Sequence, residues 1–352
     1  MITIIIPTMN RSDFLIRLLN YYTKVGYAHW ICIGDSSEGD HLERTREAIV
    51  GLKGRLKVVY RECPGLSEYE CTSQLIQAVS TPYLAWVADD DFILPPALDE
   101  CVRFLGDNRH YSVALGRAVV LSLKTSGPYG DVQSIGPYGL RSIEAETARE
   151  RLINHLSHYS NPNFGVHRTN EFIAAYHKVV SLSDKSFTEL LPNCMSCLQG
   201  NVKRLDNLYL VRQGHDRRYL LPDAYDWITG PNWHTSYQIF SNCLAEELVK
   251  QDGITHEEAH AVVKQAFWAY LKNGLYRKYQ QRYEGKRDPG AWSYLKKIGK
   301  HFPIASNYLR RLRPHSDGRS LSDLLNPKSP YHNDFMPVYR AVTAIAKQQG
   351  DN

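Results

Sequence analysis

The sequence predicts an α/β protein in which a mostly parallel sheet carries helices on both faces, followed by a C-terminal helical region. Three observations favour this class. Short apolar runs alternate with amphipathic stretches of roughly 10 to 15 residues through the first third of the chain, as in β-α-β units. The runs are apolar on both faces and rich in β-branched residues, which is typical of strands in a covered parallel sheet. Beyond about residue 235, only helical periods remain.

The first half of the chain predicts four strands, each followed by a helix. Ser67 and Glu70 have the spacing of a capping box, and Ser12 is the predicted cap of the first helix. Pro95 suits a first helical turn, because its missing N–H costs little there. The strands are Ile2–Pro7, Trp30–Gly34, Leu56–Arg61 and Tyr83–Ala88, and the helices are Ser12–Val25, Gly39–Leu52, Ser67–Val79 and Pro95–Leu105.

The pattern becomes mixed after residue 111. The Gly- and Pro-rich segment 126–139 indicates a hairpin or a mobile loop. The predicted elements that follow are a helix Ile143–His158, a short strand Asn163–His167, a helix Asp184–Gly200 and a last strand Val202–Val211. We place a domain boundary near residue 235, which gives a first domain of residues 1–235 and a basic, aromatic-rich helical domain of residues 236–352.

The composition excludes several classes of protein. Of the 352 residues, 43% are hydrophobic and 22% are charged, which excludes wholesale disorder. No apolar run approaches the ~18 residues of a membrane span, and the N-terminal MITIIIP indicates a buried strand, not a signal peptide. The seven cysteines have no framework spacing, which predicts a reduced, cytoplasmic protein.

The net charge of +5 is unevenly distributed. Between Lys264 and Arg319 there are 14 Lys and Arg against 3 Asp and Glu, interleaved with aromatic residues. This part of the chain is expected to meet an anionic partner or surface, and peripheral contact with a membrane is one interpretation. A packed helical domain with a basic exterior is the other. Nucleic acid is not expected as a partner, because the basic excess lies away from the residues that carry the motifs.

Polar groups follow three of the predicted strands, at Thr8–Arg11, Asp35–Ser37 and Asp89–Asp91. Ligands of parallel sheets bind beyond the carboxyl ends of the strands, so these groups predict one crevice. Three adjacent carboxylates repel one another unless a cation or hydrogen bonds compensate, and hard divalent ions prefer oxygen ligands. A solvated acidic loop is the alternative interpretation. The first turn has neither a dinucleotide fingerprint nor a P-loop, which argues against hydride transfer and P-loop kinases.

Three segments resemble family 2 glycosyltransferases of the GT-A fold: IIIPTMNR at the N-terminus, GDSS at residues 34–37 and YLAWVADDDFILPPAL at residues 83–98. The resemblance covers about residues 1–215. It implies a metal-dependent enzyme that moves a sugar from a UDP- or GDP-sugar to a hydroxyl of a glycan, lipid-linked or protein acceptor, with inversion. The implied cofactor is Mn²⁺ or Mg²⁺.

The same resemblance implies which residues bind the donor and the metal. Asp35 would bind the base or ribose, and a histidine after the last strand would be a further metal ligand. The implied donor-binding residues are Pro7, Thr8, Arg11, Asp35, Asp89, Asp90, Arg217 and Arg218, and the implied metal ligands are Asp89, Asp90, Asp91 and His215. Asp89 and Asp91 have the spacing of the family's DXD motif, whereas the distance to Pro95 suits Asp90 and Asp91 equally.

Two departures from the family pattern leave the donor's identity open. Gly34 stands where the family usually has the first acid of an Asp-Asp pair. The Arg-Asn pair usual in the helix before the fourth strand is replaced by Cys71, Thr72 and Ser73.

Inverting members of the family also need a general base, usually a carboxylate that heads a helix on the acceptor side. Glu189 and Asp184 fall in the corresponding stretch, and Glu189 is preferred because its helix continues to Gly200. The alternative is that Asp184 is only a helix cap and Glu189 a surface residue. The segment Asn161–Arg168 is expected to frame the acceptor pocket.

Two other activities remain as alternatives. A nucleotidyltransferase of related fold would normally carry a Gly-rich, basic first turn, which this chain lacks. His256 and His260 match the H-E-x-x-H pattern of zinc proteases, but Thr255 and Glu258 form a capping box that explains the segment as a helix start. The C-x-x-C spacing of Cys194 and Cys197 has no second pair, so two helical cysteines one turn apart are predicted there.

Overall fold

The computed structural model describes residues 1–216, 221–283 and 320–344, and these residues form one sheet of nine strands surrounded by helices. The strands are β1 (Ile2–Thr8), β2 (Trp30–Asp35), β3 (Lys57–Glu62), β4 (Tyr83–Trp86), β5 (Phe92–Ile93), β6 (Tyr111–Leu123), β7 (Val132–Tyr138), β8 (Val166–Arg168) and β9 (Asn201–Gly214). Their order across the sheet is β3-β2-β1-β4-β8-β6-β9-β5, with β7 paired to β6 outside this path.

The helices of the described residues follow the strands closely in the first half and dominate the second. They are α1 (Ser12–Lys24), α2 (Gly39–Gly51), α3 (Glu68–Ile76), α4 (Pro95–Asp107), α5 (Ala148–Ser157), α6 (Thr169–Val179), α7 (Lys185–Gln199), α8 (Ala224–Ile228), α9 (Trp233–Asp252), α10 (His256–Tyr283), α11 (Leu321–Leu325) and α12 (His332–Thr343), with a short 3-10 helix at Pro162–Phe164.

The parallel half of the sheet is β3-β2-β1-β4. All seven side chains of β1 are buried, which explains why this strand is an uninterrupted run of β-branched and apolar residues. Ser67 and Glu70 form the predicted capping box at the start of α3, and Pro95 and Pro96 occupy the first turn of α4. The predicted fold class is confirmed.

The second half of the sheet departs from the predicted elements. The 13-residue strand β6 had not been predicted; it pairs antiparallel with β7 and β8 and parallel with β9. The Gly- and Pro-rich segment forms the predicted hairpin, with β7 as its second strand. β9 continues to Gly214, three residues beyond the predicted end, because its polar side chains Arg212 and Gln213 find partners inside the protein.

One predicted helix cap and one predicted helix start are wrong. Arg11, not Ser12, is the N-cap of α1; it makes no side-chain cap, and the Ser12 hydroxyl lies 2.9 Å from His41 Nδ1. The helix predicted from Ile143 begins at Ala148, because the Ile143 N–H donates to the carbonyl of Val202 in an isolated bridge. Thr147 then caps α5 through a capping box with Glu150.

Each of two buried clusters contains residues from both sides of the predicted boundary at residue 235. One centres on the sheet and includes Phe335, Val338 and Val342 of α12, which packs on α1. The other joins α5 and α7 to α9 and α10 through Phe187, Phe240 and their neighbours. The division into residues 1–235 and 236–352 remains a prediction. Within the described ranges, no helix is long and apolar enough to cross a membrane.

Candidate active site

A large open cavity lies beyond the carboxyl ends of β1, β2 and β4. Its volume is about 1240 Å³, which exceeds the ~300–1,000 Å³ of most small-ligand sites. The predicted residues that line it are Pro7, Thr8, Arg11, Asp90 and Glu189. The loop before α3, the 3-10 helix and the connection from α6 to α7 also contribute to its lining.

The three consecutive aspartates after β4 are buried, and each is paired with a cationic side chain. Asp89 accepts from the Thr8 hydroxyl at 2.6 Å, and its other oxygen lies 2.6 Å from the Arg11 guanidinium. Burial raises the pKa of Asp89 to about 7, against the opposing effect of Arg11. Arg11 and Arg212 therefore offset the repulsion within the triplet. From the sequence, a bound cation or hydrogen bonds were expected to do so.

Asp90 is the member of the triplet that faces the cavity. Its Oδ2 accepts from Arg11 at 2.9 Å and lies 2.8 Å from His215 Nε2, while its Oδ1 is buried without a hydrogen-bond partner among the described residues. Burial alone would raise the pKa of Asp90, but the His215 hydrogen bond and the charge of Arg11 hold it below its ordinary value. Asp90 is therefore the carboxylate most available to a ligand.

Asp91 lies behind the cavity wall and organises β9. It accepts from Arg212 Nε at 2.8 Å and from the main-chain N–H of Gln213 at 3.0 Å. Burial raises its pKa to about 6, against the opposing charge of Arg212. The guanidinium of Arg212 contacts two aromatic rings, at 4.4 Å from the centroid of Phe164 and 4.8 Å from that of Tyr138.

Asp35 does not line the cavity. It is buried, and its two oxygens accept from the Ser37 N–H at 2.8 Å and the Tyr60 hydroxyl at 3.1 Å. Ser36 and Glu38 line the cavity instead, and the loop is tied to the first turn through Asn10, whose φ is 53°. The role of Asp35 on the donor's base or ribose remains a prediction, and its observed contacts hold the loop in place.

Arg17, a buried residue of α1, binds the backbone of the aspartate triplet. Arg17 donates to the main-chain carbonyl of Asp90 at 2.8 Å and to that of Pro128 at 2.7 Å, and it also donates to the Gln213 side chain. Its guanidinium lies 4.6 Å from the centroid of Phe92. Arg17 thus fixes the backbone of the triplet while Arg11 and Arg212 hold its side chains.

Glu189 faces the same cavity as Asp90, from the first turns of α7. Its Oε1 accepts from the Tyr159 hydroxyl at 3.0 Å. Burial raises the pKa of Glu189, while Tyr159 and the charge of Arg212 oppose that rise. A carboxylate with a raised pKa at a substrate cavity is suited to accept a proton.

Asp184 has the structural role that was its alternative interpretation. It is the N-cap of α7, and its Oδ1 accepts from the N–H groups of Ser186 and Phe187 and from Trp227 Nε1. It does not line the cavity, although its neighbours Ser183 and Lys185 do. The structure therefore leaves Asp184 outside the cavity that Asp90 and Glu189 both line.

Three residues near the cavity were not singled out from the sequence. Glu68, at the first position of α3, lines the cavity, and burial raises its pKa to about 7. Arg212 lines the cavity from the part of β9 that continues beyond the predicted end of the strand. Tyr159 lies behind Glu189. Of the three, only Glu68 could have been identified from the sequence, because it lies in the first turn of a helix whose capping box is visible there.

A divalent cation fits the site in one arrangement. No three His, Cys, Asp or Glu side chains in the described part of the chain are grouped to hold a metal ion. Mg²⁺, however, is usually bound by only one or two carboxylates together with substrate phosphates. Asp90, with its unpartnered Oδ1, and His215, stacked 4.6 Å from Phe14, would hold such an ion.

The remaining sequence candidates lie elsewhere. Arg217 and Arg218 lie outside the described residues. His256 and His260 are exposed, and His260 Nδ1 lies 3.1 Å from the Ser241 hydroxyl. Thr255 and Glu258 form the predicted capping box. Cys194 and Cys197 are buried thiols on α7, as expected.

Residues 3–168 match the family model described as Glycosyl transferase family 2. This match confirms the family resemblance inferred from the first turn, the segment after β2 and the aspartate triplet. No curated protein matches the chain significantly.

Solved structures match nearly the whole chain. Residues 1–349 of S. aureus TarS cover 99% of this chain and 91% of their own, with 14% identity and a TM-score of 0.52. The complex of the same fragment with UDP-GlcNAc covers 99% of this chain and 92% of its own, with 16% identity and a TM-score of 0.52. The complex with UDP covers 99% of this chain and 91% of its own, with 14% identity and a TM-score of 0.50. At this identity the likeness establishes the fold alone.

Proposed function

We propose that this chain, whose residues 3–168 match Glycosyl transferase family 2, is a glycosyltransferase that moves a sugar from a nucleoside-diphosphate sugar to a hydroxyl acceptor with inversion. One observation carries the proposal. Asp90 and Glu189 line a single cavity; Asp90 is paired with Arg11 and His215, and the pKa of Glu189 is raised. The arginine suits a phosphorylated donor, and Glu189 suits a general base.

The donor binds against the first turn and the triplet. Arg11, which lines the cavity, offers a guanidinium to the diphosphate, and the Arg212 guanidinium offers a second from β9. Their positive charge stabilises the leaving nucleoside diphosphate as the glycosidic bond breaks. A donor of the UDP type is the first to test, because the S. aureus TarS fragment is solved with UDP-GlcNAc and with UDP. GDP-sugars remain the second choice.

A bound Mn²⁺ or Mg²⁺, held by Asp90 and His215, would supply further positive charge to the diphosphate. The residues of the chain perform the rest of the chemistry. Glu189 accepts the proton of the acceptor hydroxyl as that oxygen attacks the anomeric carbon from the face opposite the diphosphate. A single displacement from that face inverts the configuration at the anomeric carbon.

The acceptor lies against the wall formed by the 3-10 helix and the connection from α6 to α7. Asn161, Phe164, Leu182 and Lys185 line this wall. A glycan, a lipid-linked sugar or a protein hydroxyl is the class of acceptor. The predicted frame at Asn161–Arg168 supports this placement, because the 3-10 helix within it contacts the cavity.

The protein is cytoplasmic and contacts the membrane peripherally through its basic C-terminal region. Trp268, Tyr276 and Tyr279 are exposed on α10, next to the basic excess between Lys264 and Arg319. We expect co-sedimentation with vesicles that contain anionic lipid and loss of it with neutral vesicles. Trp268→Ala should weaken this binding, and equal binding to both vesicle types would contradict it.

The function is tested by ligand binding and turnover. Thermal unfolding is followed with UDP and with GDP, each with Mn²⁺, with Mg²⁺ and with EDTA, and nucleoside diphosphate release is measured with UDP- and GDP-sugars. A ligand that binds only the folded state raises the melting temperature. Asp90→Asn should reduce the shift given by the diphosphate and reduce its release by a factor of about 100 or more.

Asp107→Asn is the matched control, because this aspartate is exposed at the end of α4. It should leave both readouts unchanged. If neither UDP nor GDP stabilises the wild type, or if Asp90→Asn behaves as Asp107→Asn does, the assignment is wrong.

Nothing in the structure favours the alternatives. The first turn, from Pro7 to Arg11, holds no glycine with which a nucleotidyltransferase would cradle phosphates. A zinc protease would need a third ligand beside His256 and His260, and the described part of the chain groups no three such side chains.

A further inference from the structure

Glu189 is held by a network of hydrogen bonds that lies behind the cavity wall. The Tyr159 hydroxyl donates to Glu189 Oε1 at 3.0 Å and accepts from Asn193 Nδ2 at 3.3 Å. Asn193 also donates to the main-chain carbonyl of Glu189 at 2.7 Å. Its side-chain oxygen accepts from the N–H of Asn163 at 2.9 Å, which ties the network to the 3-10 helix.

The geometry divides the carboxylate of Glu189 into two oxygens with different surroundings. Oε1 is engaged by Tyr159, which does not itself line the cavity. The remaining oxygen is thereby left for the cavity that Glu189 lines. Since Tyr159 is in turn fixed by Asn193, the carboxylate has little freedom to rotate.

We propose that Tyr159, fixed by Asn193, is a positioning residue that aims the carboxylate of Glu189 at the acceptor and favours its ionised form. The inference rests on the proposed function, in which Glu189 is the general base. A hydroxyl that donates to a carboxylate stabilises the charged state, because a neutral carboxyl is a poorer acceptor. Tyr159 thus counteracts the desolvation that Glu189 undergoes at the cavity wall.

Other groups also face Glu189 and set the background against which Tyr159 acts. Arg212 on β9 favours the charged form, while Glu68 on α3 is a neighbouring carboxylate that disfavours it. The tyrosines that surround it are uncharged at neutral pH, since burial raises the pKa of each. The ionisable groups that face Glu189 are Glu68, Tyr69, Tyr138, Tyr159, Tyr176 and Arg212.

The test compares two hydroxyl deletions in the same network. Tyr159→Phe removes the hydrogen bond to Glu189, whereas Tyr176→Phe removes a hydrogen bond from Asn163 Nδ2 and leaves the hydrogen bonds of Glu189 in place. UDP release from UDP-GlcNAc is measured from pH 4 to 9 in the full chain, with kcat and KM separated, and UDP binding by calorimetry reports correct folding.

For Tyr159→Phe we expect kcat to fall by about tenfold, from the loss of a charged hydrogen bond, with KM little changed. The acid limb of the profile should move to higher pH by about one unit, because the ionised form of Glu189 has lost a donor. Tyr176→Phe should keep the wild-type profile. Should Tyr159→Phe fail to bind UDP, Asn193→Ala is used in its place, and it should move the acid limb in the same direction.

Two results overturn the inference: a wild-type acid limb in Tyr159→Phe, or an equal shift in Tyr176→Phe. The underlying assignment fails separately, if Glu189→Gln keeps the wild-type rate of UDP release. An inactive Glu189→Gln together with an unmoved limb in Tyr159→Phe would leave the base assigned and remove the positioning role.

Discussion

At the scale of single residues, the site is a balance of buried charges. Each aspartate of the triplet has a different task, because each meets a different partner. Asp89 binds the Thr8 hydroxyl and the Arg11 guanidinium. Asp91 forms an ion pair with Arg212, and Asp90 lines the cavity. Pairing of buried carboxylates with guanidiniums makes such a cluster tolerable, since an unpaired buried charge is costly.

Arg212 should be irreplaceable even by another cation. Arg212→Lys keeps the charge but loses the planar group that contacts the rings of Phe164 and Tyr138 and donates to Asp91. We expect the rate of nucleoside diphosphate release to fall by about tenfold or more. Arg204→Lys on the same strand is the control and should retain the wild-type rate. Equal rates for the two variants would show that charge alone is required.

The pH dependence of turnover should report Glu189. A general base acts in its ionised form, and burial raises the pKa of this group. The acid limb of kcat is therefore expected above the ~4.3 of a free glutamate. Activity should be lost as the pH falls through the raised pKa and should be retained above it. An acid limb at or below that of free glutamate contradicts the assignment.

At the scale of elements, α3 approaches β2 so closely that a side chain on Gly34 has no room. A Cβ there would overlap Cys71 Sγ and lie 2.8 Å from Leu75 Cδ1. This contact explains the first departure from the family pattern, since an aspartate at residue 34 would collide with α3. The same helix carries Glu68 into the cavity.

Gly34→Ala should therefore destabilise the protein by about 1–3 kcal/mol, as overpacking does. The free energy of unfolding is measured by urea denaturation. Cys71→Ala, introduced into the same chain, should recover part of the loss because it removes the nearest atom. Gly136→Ala is the control, because nothing lies within 4 Å of a Cβ at that strand position. Equal stability of Gly34→Ala and wild type would show that α3 yields easily.

The elements also show what sequence reasoning can reach. The β-α-β units were predicted correctly, because their residues form patterns that are local in the sequence. Burial of both faces of β1 requires a continuous apolar run, and the cap of α3 requires Ser67 and Glu70 three residues apart. β6 and the end of β9 were missed, since their polar residues are satisfied by distant partners, as Arg212 is by Asp91. Likewise, Asp184 and Glu189 could not be separated until their neighbours were visible.

At the scale of the whole molecule, the last described helix completes the sheet core. Phe335, Val338 and Val342 of α12 are fully buried against α1. The carbonyl of Val342 accepts from the Gly130 N–H at 2.9 Å. The hairpin that contains Gly130 also supplies the Pro128 carbonyl to Arg17, beneath the aspartate triplet. A path of contacts therefore connects α12 with the donor side of the cavity.

Phe335→Ala should lower the free energy of unfolding by about 3–5 kcal/mol, the usual cost of such a truncation. Because α12 shares the core of the sheet, chemical denaturation should show the loss in the transition reported by the β-sheet signal. Val50→Ala, at an exposed position of α2, should change stability by less than about 0.5 kcal/mol. Unfolding of α12 alone, with the sheet transition unmoved, would contradict a shared core.

The return of α12 to α1 has a consequence for biosynthesis. The ribosome delivers α1 more than three hundred residues before α12, so the apolar surface of α1 that α12 covers is uncovered for most of translation. A nascent chain arrested before residue 332 should bind chaperones through that surface, and a chain extended beyond α12 should not.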